Sequence, residues 1–291
     1  MHTPHSAQPP AGHPAAFRGR VGPDADHGFH PAPLRYRLYL SLSCPGSLRV
    51  AITHRLLRLD EDMPVTLLPA VPDADGGYAA LRDLYARTAH HHPGPAVAPV
   101  LADRWTGRIV SNHAPDIAHD LAVRFAGGRA GLRPHGAEAD IAALARLCDQ
   151  DITEAAQRAG EAGPAPGRAR ALGTLLAALA AIEERLARGG PFVLGDTLTA
   201  ADVHLWVTLV ELDTVHRWHL DAEAVHRIAE HPGVWAYVRR LLGEREFGGL
   251  LRVADIERRH HAHCRGLEAA GAAAPIIDWT APLAAPARQH G

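Results

Sequence analysis

The residues best suited to chemistry lie in "YRLYLSLSCPGSLRVAITHRLLRL", residues 36–59. The first part alternates apolar and polar positions and the second repeats at helical spacing, so Cys44 stands where a strand gives way to a helix. A helix N-terminus presents unpaired N–H groups and the positive end of the macrodipole. Both favour the thiolate, which is the nucleophilic form of cysteine. Pro45 suits the first helical turn, where an N–H would have no partner. No second cysteine follows at C-x-x-C spacing, so the chemistry open to Cys44 is a mixed disulfide with an external thiol. The alternative is a buried cysteine that only packs. Cys148 and Cys264 are expected to be structural. Histidines cluster at 90–92 and in "HHAHC", 260–264, but neither spacing is that of a standard zinc site. With 21 histidines in the chain, such clusters arise by chance, and no metal is expected.

The bulk composition narrows the partners. The chain has 291 residues, 47% of them hydrophobic, which suffices for two modest cores. The net charge of −2 gives no reason to expect nucleic acid or an anionic membrane surface. All 30 basic residues are arginine, a compositional habit shared with the abundant Ala, Gly and Pro. Three scattered cysteines are no disulfide framework and fit a reducing compartment. No apolar run reaches the roughly 18–20 residues of a membrane span, and no secretion signal opens the chain. A cytoplasmic protein is expected.

The elements that would position Cys44 follow from periodicity. Residues 1–33, rich in Pro, His, Ala and Gly, predict a disordered tail. Tyr36, Leu38, Leu40 and Leu42 share one face of a strand. Leu48, Ala51, Ile52, Arg55 and Leu56 fall at helical spacing. A strand at 64–70, a short helix in "YAALRDLYARTA", two strands joined near Thr106-Gly107 and the helix "APDIAHDLAVRF" complete a small α/β domain over 34–126. After a Gly-rich break, residues 135–268 carry apolar stripes of period near 3.6 and predict an all-α domain. Thr199 and Asp202 make a capping box before one of these runs. Trp206, Trp218 and Trp235 are expected to pack in the bundle. Residues 269–291 are expected to trace the surface as an extended segment.

An α/β domain with a cysteine at its strand-to-helix turn, followed by an all-helical domain, resembles the glutathione transferases. Four phrases narrow the resemblance: "YRLYLSLSCP" with Arg49 five residues beyond the cysteine, "VAPVLADRWTGRIVSN", "FVLGDTLTAADVHLWVTLVELDTVH" and "IERRHHAHC". In this order and spacing they are similar to the glutathionyl-hydroquinone reductases, the xi class, over roughly residues 34–280. The resemblance implies a thioredoxin-like N-terminal domain, a helical glutathione-transferase-type C-terminal domain, and a homodimer. Glutathione or another low-molecular-weight thiol would be co-substrate, and a quinone-like or other electrophilic small molecule the acceptor. It implies that Cys44 is the nucleophile and that Pro99 is cis, where an edge-strand proline is the plain alternative. The backbone of Ala98 would dock the thiol, with Asn112 and His113 beside it, and Gln157, His260 and His261 would line the acceptor pocket.

The pattern departs from the family at four places. Cys-Pro-Trp reads Cys44-Pro45-Gly46, and Ser-Asn-Glu-Ser reads Ser111-Asn112-His113-Ala114. A basic residue ahead of the proline is replaced by Pro95, and two tyrosines by Gln157 and His260 or His261. The lost Glu-Ser pair would grip the γ-glutamyl end, so these departures imply poor glutathione binding. They would suit another thiol, such as mycothiol. A non-catalytic scaffold or regulatory binding protein is the reading from a different class.

Overall fold

A computed structural model describes residues 17–126, 131–161, 165–264 and 274–279. Strand β1 (Tyr36–Leu40) buries Tyr36, Leu38 and Leu40 and leaves the residues between them half-covered, as its alternation requires. It is central in a four-stranded sheet with β2 (Val65–Leu67), β3 (Val100–Asp103) and β4 (Arg108–Ser111), ordered β2-β1-β3-β4. β1 runs parallel to β2 and antiparallel to β3, and β3 is antiparallel to β4. Helix α1 (Pro45–Leu56) makes the crossover from β1 to β2, α2 (Ala79–Thr88) leads to β3, and α3 (Ala114–Arg124) leaves β4. This is the thioredoxin-like arrangement. Arg35 and Asp103, both almost fully buried, lock β1 to β3 through paired bonds of 3.1 and 3.0 Å. Burial pushes the Asp103 carboxyl up, but the Arg35 guanidinium prevails and holds it below its ordinary value.

The second half is helical: α4 (Glu138–Arg146), a π-helical stretch (Leu147–Glu154), α5 (Ala155–Gly160), α6 (Ala165–Ala187), α7 (Ala200–Thr214), α8 (Ala222–Ala229), α9 (Pro232–Leu242) and α10 (Val253–Cys264). α7 is its axis, apolar nearly all round because it is enclosed nearly all round. The predicted capping box starts it, with Thr199 and Asp202 answering each other's backbone N–H groups. Trp206 and Trp235 are buried in this core as expected, whereas Trp218 remains half-exposed. α1 joins the two halves: Leu48 and Ile52 pack in the helical core, Val50 and Ala51 in the sheet core.

Two expectations about the ends are corrected. Residues 1–16 lie outside the described residues, but 17–33 have a defined course: 17–22 lie against the sheet edge with Val21 buried, 23–28 are exposed, and 29–32 are half-buried. Residues 17–19 pair with the outer edge of β4: Gly19 N–H donates to the Val110 carbonyl at 2.9 Å, and Asn112 N–H donates to the Phe17 carbonyl at 3.1 Å. A Cβ on Gly19 would stand 2.5 Å from the Val110 oxygen, so glycine permits this approach. Arg18 binds Asp116, and Arg20 binds Asp120 at 2.9 Å. Val21 is buried, and its N–H donates to Asp120 at 2.8 Å. The arm is ordered by carboxylates about a hundred residues away, together with the burial of Val21 and the packing of Phe17 on Tyr85. At the other end, Ile277 is buried, and Asp213 accepts from the N–H groups of Ile276 and Ile277 and from the Trp279 indole at 2.9, 3.1 and 2.8 Å. That part of the C-terminal segment docks into the helical core.

The arm clasp predicts a stability difference. A chain starting at Leu34 exposes an unpaired strand edge and leaves two carboxylates without their arginines. It is expected to melt about 5–10 °C below a chain starting at Phe17. Equal melting temperatures in calorimetry would show that the clasp contributes nothing.

Candidate active site

Cys44 is the N-cap of α1, with extended backbone (φ −100°, ψ 127°) and Pro45 at the first helical position. Its N–H donates to the Ser41 carbonyl at 2.9 Å, and its own carbonyl accepts the first helical bond from Leu48. The thiol is half-buried and free. Ser41 and Ser43 bond each other and the carbonyls of Pro69 and Ala70, which fixes the turn that delivers the cysteine.

Around the sulfur the chain converges from three directions. A Cβ placed on Gly46 would lie 4.0 Å from Cys44 Sγ, 3.8 Å from Pro99 Cδ and 2.9 Å from Ala114 Cβ. The strand-to-helix turn, the turn before β3 and the start of α3 therefore meet at one point. The Ala98–Pro99 peptide is cis, as expected. The Ala98 peptide makes no hydrogen bond to another described residue, so its N–H and carbonyl are available beside the thiol. Gly46 and Ala114 are sterically coupled, and a large side chain at 46 would require α3 to move.

The next turn is committed internally. The Asn112 side chain donates to the Tyr85 hydroxyl at 2.9 Å and accepts from Phe17 N–H at 3.1 Å. These bonds hold the arm and α2 in place. His113 caps α3 without a side-chain cap bond, and its ring lies 3.1 Å from Asp116, which already holds Arg18.

The residues expected to line the acceptor pocket do not act together. Gln157 is exposed on α5. His260 is buried, with Nδ1 3.2 Å from Cys264 Sγ, and His261 stacks edge-on to Trp218 at 5.7 Å. His260 and His261 are neighbours at 5.7 Å, and both belong to a cluster with His219, which sequence spacing did not signal. Arg259, in the same helix, reaches the α/β domain by donating to the Tyr78 hydroxyl at 2.8 Å.

Sequence reasoning also missed a polar layer between α1 and α7. Arg49 Nη2 donates to Thr208 at 3.0 Å, while its Nε is buried without a partner. His204 and Asp149 are paired at 2.8 Å. Burial pushes the Glu211 carboxyl up to about 7; Arg49 and Arg259 pull it down and Asp149 pushes it further up. Arg49 five residues past the cysteine was the one available signal. Cys148 lies beneath this layer, fully buried, and burial raises its thiol to about 12, which agrees with a structural role.

Two outcomes are expected. Cys148 should resist alkylation until the protein unfolds, as mapped by mass spectrometry on native and denatured samples. For Glu211, the folded chain keeps a proton that the unfolded chain releases between its ordinary value of 4.5 and about 7. Stability should therefore fall as pH rises through that window. Glu211→Gln should flatten this fall, seen as a smaller difference between denaturant melts at pH 5 and pH 8. An unchanged difference would mean that Glu211 is not the group responsible.

Comparison with known proteins places the helical half. Residues 165–240 match the family model described as glutathione S-transferase, C-terminal domain. The chain is 28% identical over 240 residues to glutathionyl-hydroquinone reductase YqjG of Escherichia coli, covering 76% of this chain and 73% of that protein. It superposes on the Xi class GST from Natrialba magadii with a TM-score of 0.77 at 26% identity, covering 91% of this chain and 89% of the other. On the glutathione-bound structure of YqjG the TM-score is 0.74 at 23% identity, over 87% and 90% of the two chains.

Proposed function

For a chain whose residues 165–240 match the glutathione S-transferase C-terminal domain, and which is similar to a glutathionyl-hydroquinone reductase and to an Xi-class transferase, we propose a thiol-dependent reductase or transferase with Cys44 as nucleophile. The observation that carries this reading is the convergence of Cys44 Sγ, the cis Pro99 and the unbonded Ala98 peptide at the N-terminus of α1. An extended thiol peptide bonding the Ala98 backbone would bring its sulfur to the cysteine.

The resemblance to the glutathionyl-hydroquinone reductases supplies the reaction for this proposal. The Cys44 thiolate attacks the sulfur of a thioether joining a low-molecular-weight thiol to an electron-rich ring. The S–S bond forms, the C–S bond breaks, and the ring carbon keeps the electron pair and takes up a proton. A second thiol then attacks the mixed disulfide, so the small-molecule disulfide leaves and Cys44 is regenerated. Two thiols are oxidised and one ring carbon is reduced. Arg49, with a buried unpartnered Nε about five residues' rise along α1, is suited to hold an acceptor oxygen near the domain junction.

Glutathione itself is expected to bind poorly. The resemblance places a carboxylate and a hydroxyl against the γ-glutamyl end, where this chain has His113 and Ala114. A charge-assisted bond is worth roughly 1.5–3 kcal/mol, so losing one or two weakens binding by about tenfold to about 20,000-fold. His113→Glu with Ala114→Ser is expected to tighten binding at least about tenfold by calorimetry. Micromolar wild-type affinity, or no gain in the double variant, would refute this assignment of the turn. Homodimerisation is a further part of the proposal; edge strand β2, with Val65 and Leu67 exposed, supports it, and sedimentation tests it.

The internal commitment of the Asn112 side chain favours one competing reading, a scaffold that keeps the fold without turnover. The two are separated by incubating the reduced protein with oxidised glutathione, and separately with oxidised mycothiol, and weighing the adducts. The enzyme reading expects one adduct on Cys44, reversed by free thiol. No adduct on Cys44 with either disulfide would leave the scaffold. Among the described residues no helix is long and apolar enough to cross a membrane.

A further inference from the structure

The cluster at the end of α10 is not used by the chemistry above. Cys264 Sγ lies 3.2 Å from His260 Nδ1 and 3.7 Å from His219 Nε2. One ligand-capable atom from each residue falls within 4.8 Å of the others. We propose that His219, His260 and Cys264 form a site for a borderline-soft divalent metal, of the class zinc(II) represents.

The geometry matches that chemistry. Zinc binds thiolate sulfur at about 2.3 Å and imidazole nitrogen at about 2.0–2.1 Å, so tetrahedral coordination separates sulfur from nitrogen by about 3.5 Å. The two sulfur–nitrogen distances bracket that value, which leaves room for an ion between the donors. His260 and Cys264 are four residues apart on α10 and so share one helix face. The third donor comes from the short 3-10 helix His216–His219, which Arg217 anchors to α7 by donating to the Asp213 carbonyl at 2.8 Å. On the other side α5 closes in on His219. A Cβ on Gly160 would lie 2.6 Å from His219 Cβ, so glycine sets how near the two elements come. The His219 and His260 rings are edge-to-face at 72°. Tetrahedral coordination takes one ligand beyond these three donors, which are the ones found among the described residues.

The site can be tested on the full-length protein after stripping with chelator, with Co2+ alone as probe. One equivalent should bind with a thiolate-to-metal charge-transfer band and intense tetrahedral visible bands, and Zn2+ should displace it. Cys264→Ser should abolish the charge-transfer band, and either it or His219→Ala should weaken Zn2+ binding by more than about 100-fold, beyond what loss of a supporting residue causes. Cys44→Ser, and alanine at His90, His91 and His92 together, should leave the band intact. Protection of Cys264 from alkylation by one equivalent of Zn2+ in the wild-type chain gives the same answer without a variant. The proposal fails if no thiolate band forms, if the band follows Cys44, if binding follows His90–His92, or if Zn2+ leaves Cys264 labelling unchanged.

Discussion

Two carboxylates shut away from solvent hold the molecule together, and both are on α7. Asp202 accepts from Val193 N–H, Thr199 N–H, the Thr199 hydroxyl and the Tyr237 hydroxyl, at 2.8 to 3.0 Å. Burial still pushes its carboxyl above the ordinary value, because these donors offset only part of the lost hydration. Removing a partner from so enclosed an acid typically costs about 3–5 kcal/mol. At the far end Asp213 gathers the C-terminal backbone and lies 3.3 Å from the Arg217 guanidinium, a cation placed where the helix dipole is negative. With both ends tied, α7 presents Thr208 to Arg49 of α1 at a fixed height. The orientation of α1, and so of the cysteine at its N-cap, depends on that contact as well as on the sheet.

What was legible in the sequence is what local chemistry determines. The alternation of Tyr36, Leu38 and Leu40 can be satisfied only as a strand with one buried face, and the Thr199–Asp202 spacing only as a cap. Cys44 at a strand-to-helix junction required no distant information. The ordered arm was illegible because Phe17 to Val21 have too little apolar area to pack by themselves. Their order comes from Asp116, Asp120 and the edge of β4, some hundred positions later. A faint signal was present in Phe17, Gly19 and Val21 alternating with two arginines. The docking of Ile277 was hidden for the same reason, since its partner Asp213 reads locally as a polar residue near the end of a mostly apolar helix. Cys264 was read as structural because its ring partner His219 lies 45 residues earlier on another element.

The resemblance carried the fold further than it carried the site, and the packing explains why. A fold tolerates substitution wherever burial and volume are kept, whereas a binding site depends on the identity of a few polar atoms. In this chain Gly46 and Ala114 face each other, and the Ala114 methyl lies 2.9 Å from where a Cβ on residue 46 would stand, so a larger side chain at 46 must displace the start of α3. Cys44 Sγ, Gly46, Pro99 and Ala114 meet in one wall of small groups that the packing of α1, β3 and α3 sets, whereas the Asn112 amide is spent on the Tyr85 hydroxyl and the Phe17 N–H. Packing fixes where the sulfur stands; it does not by itself fix which polar groups face it.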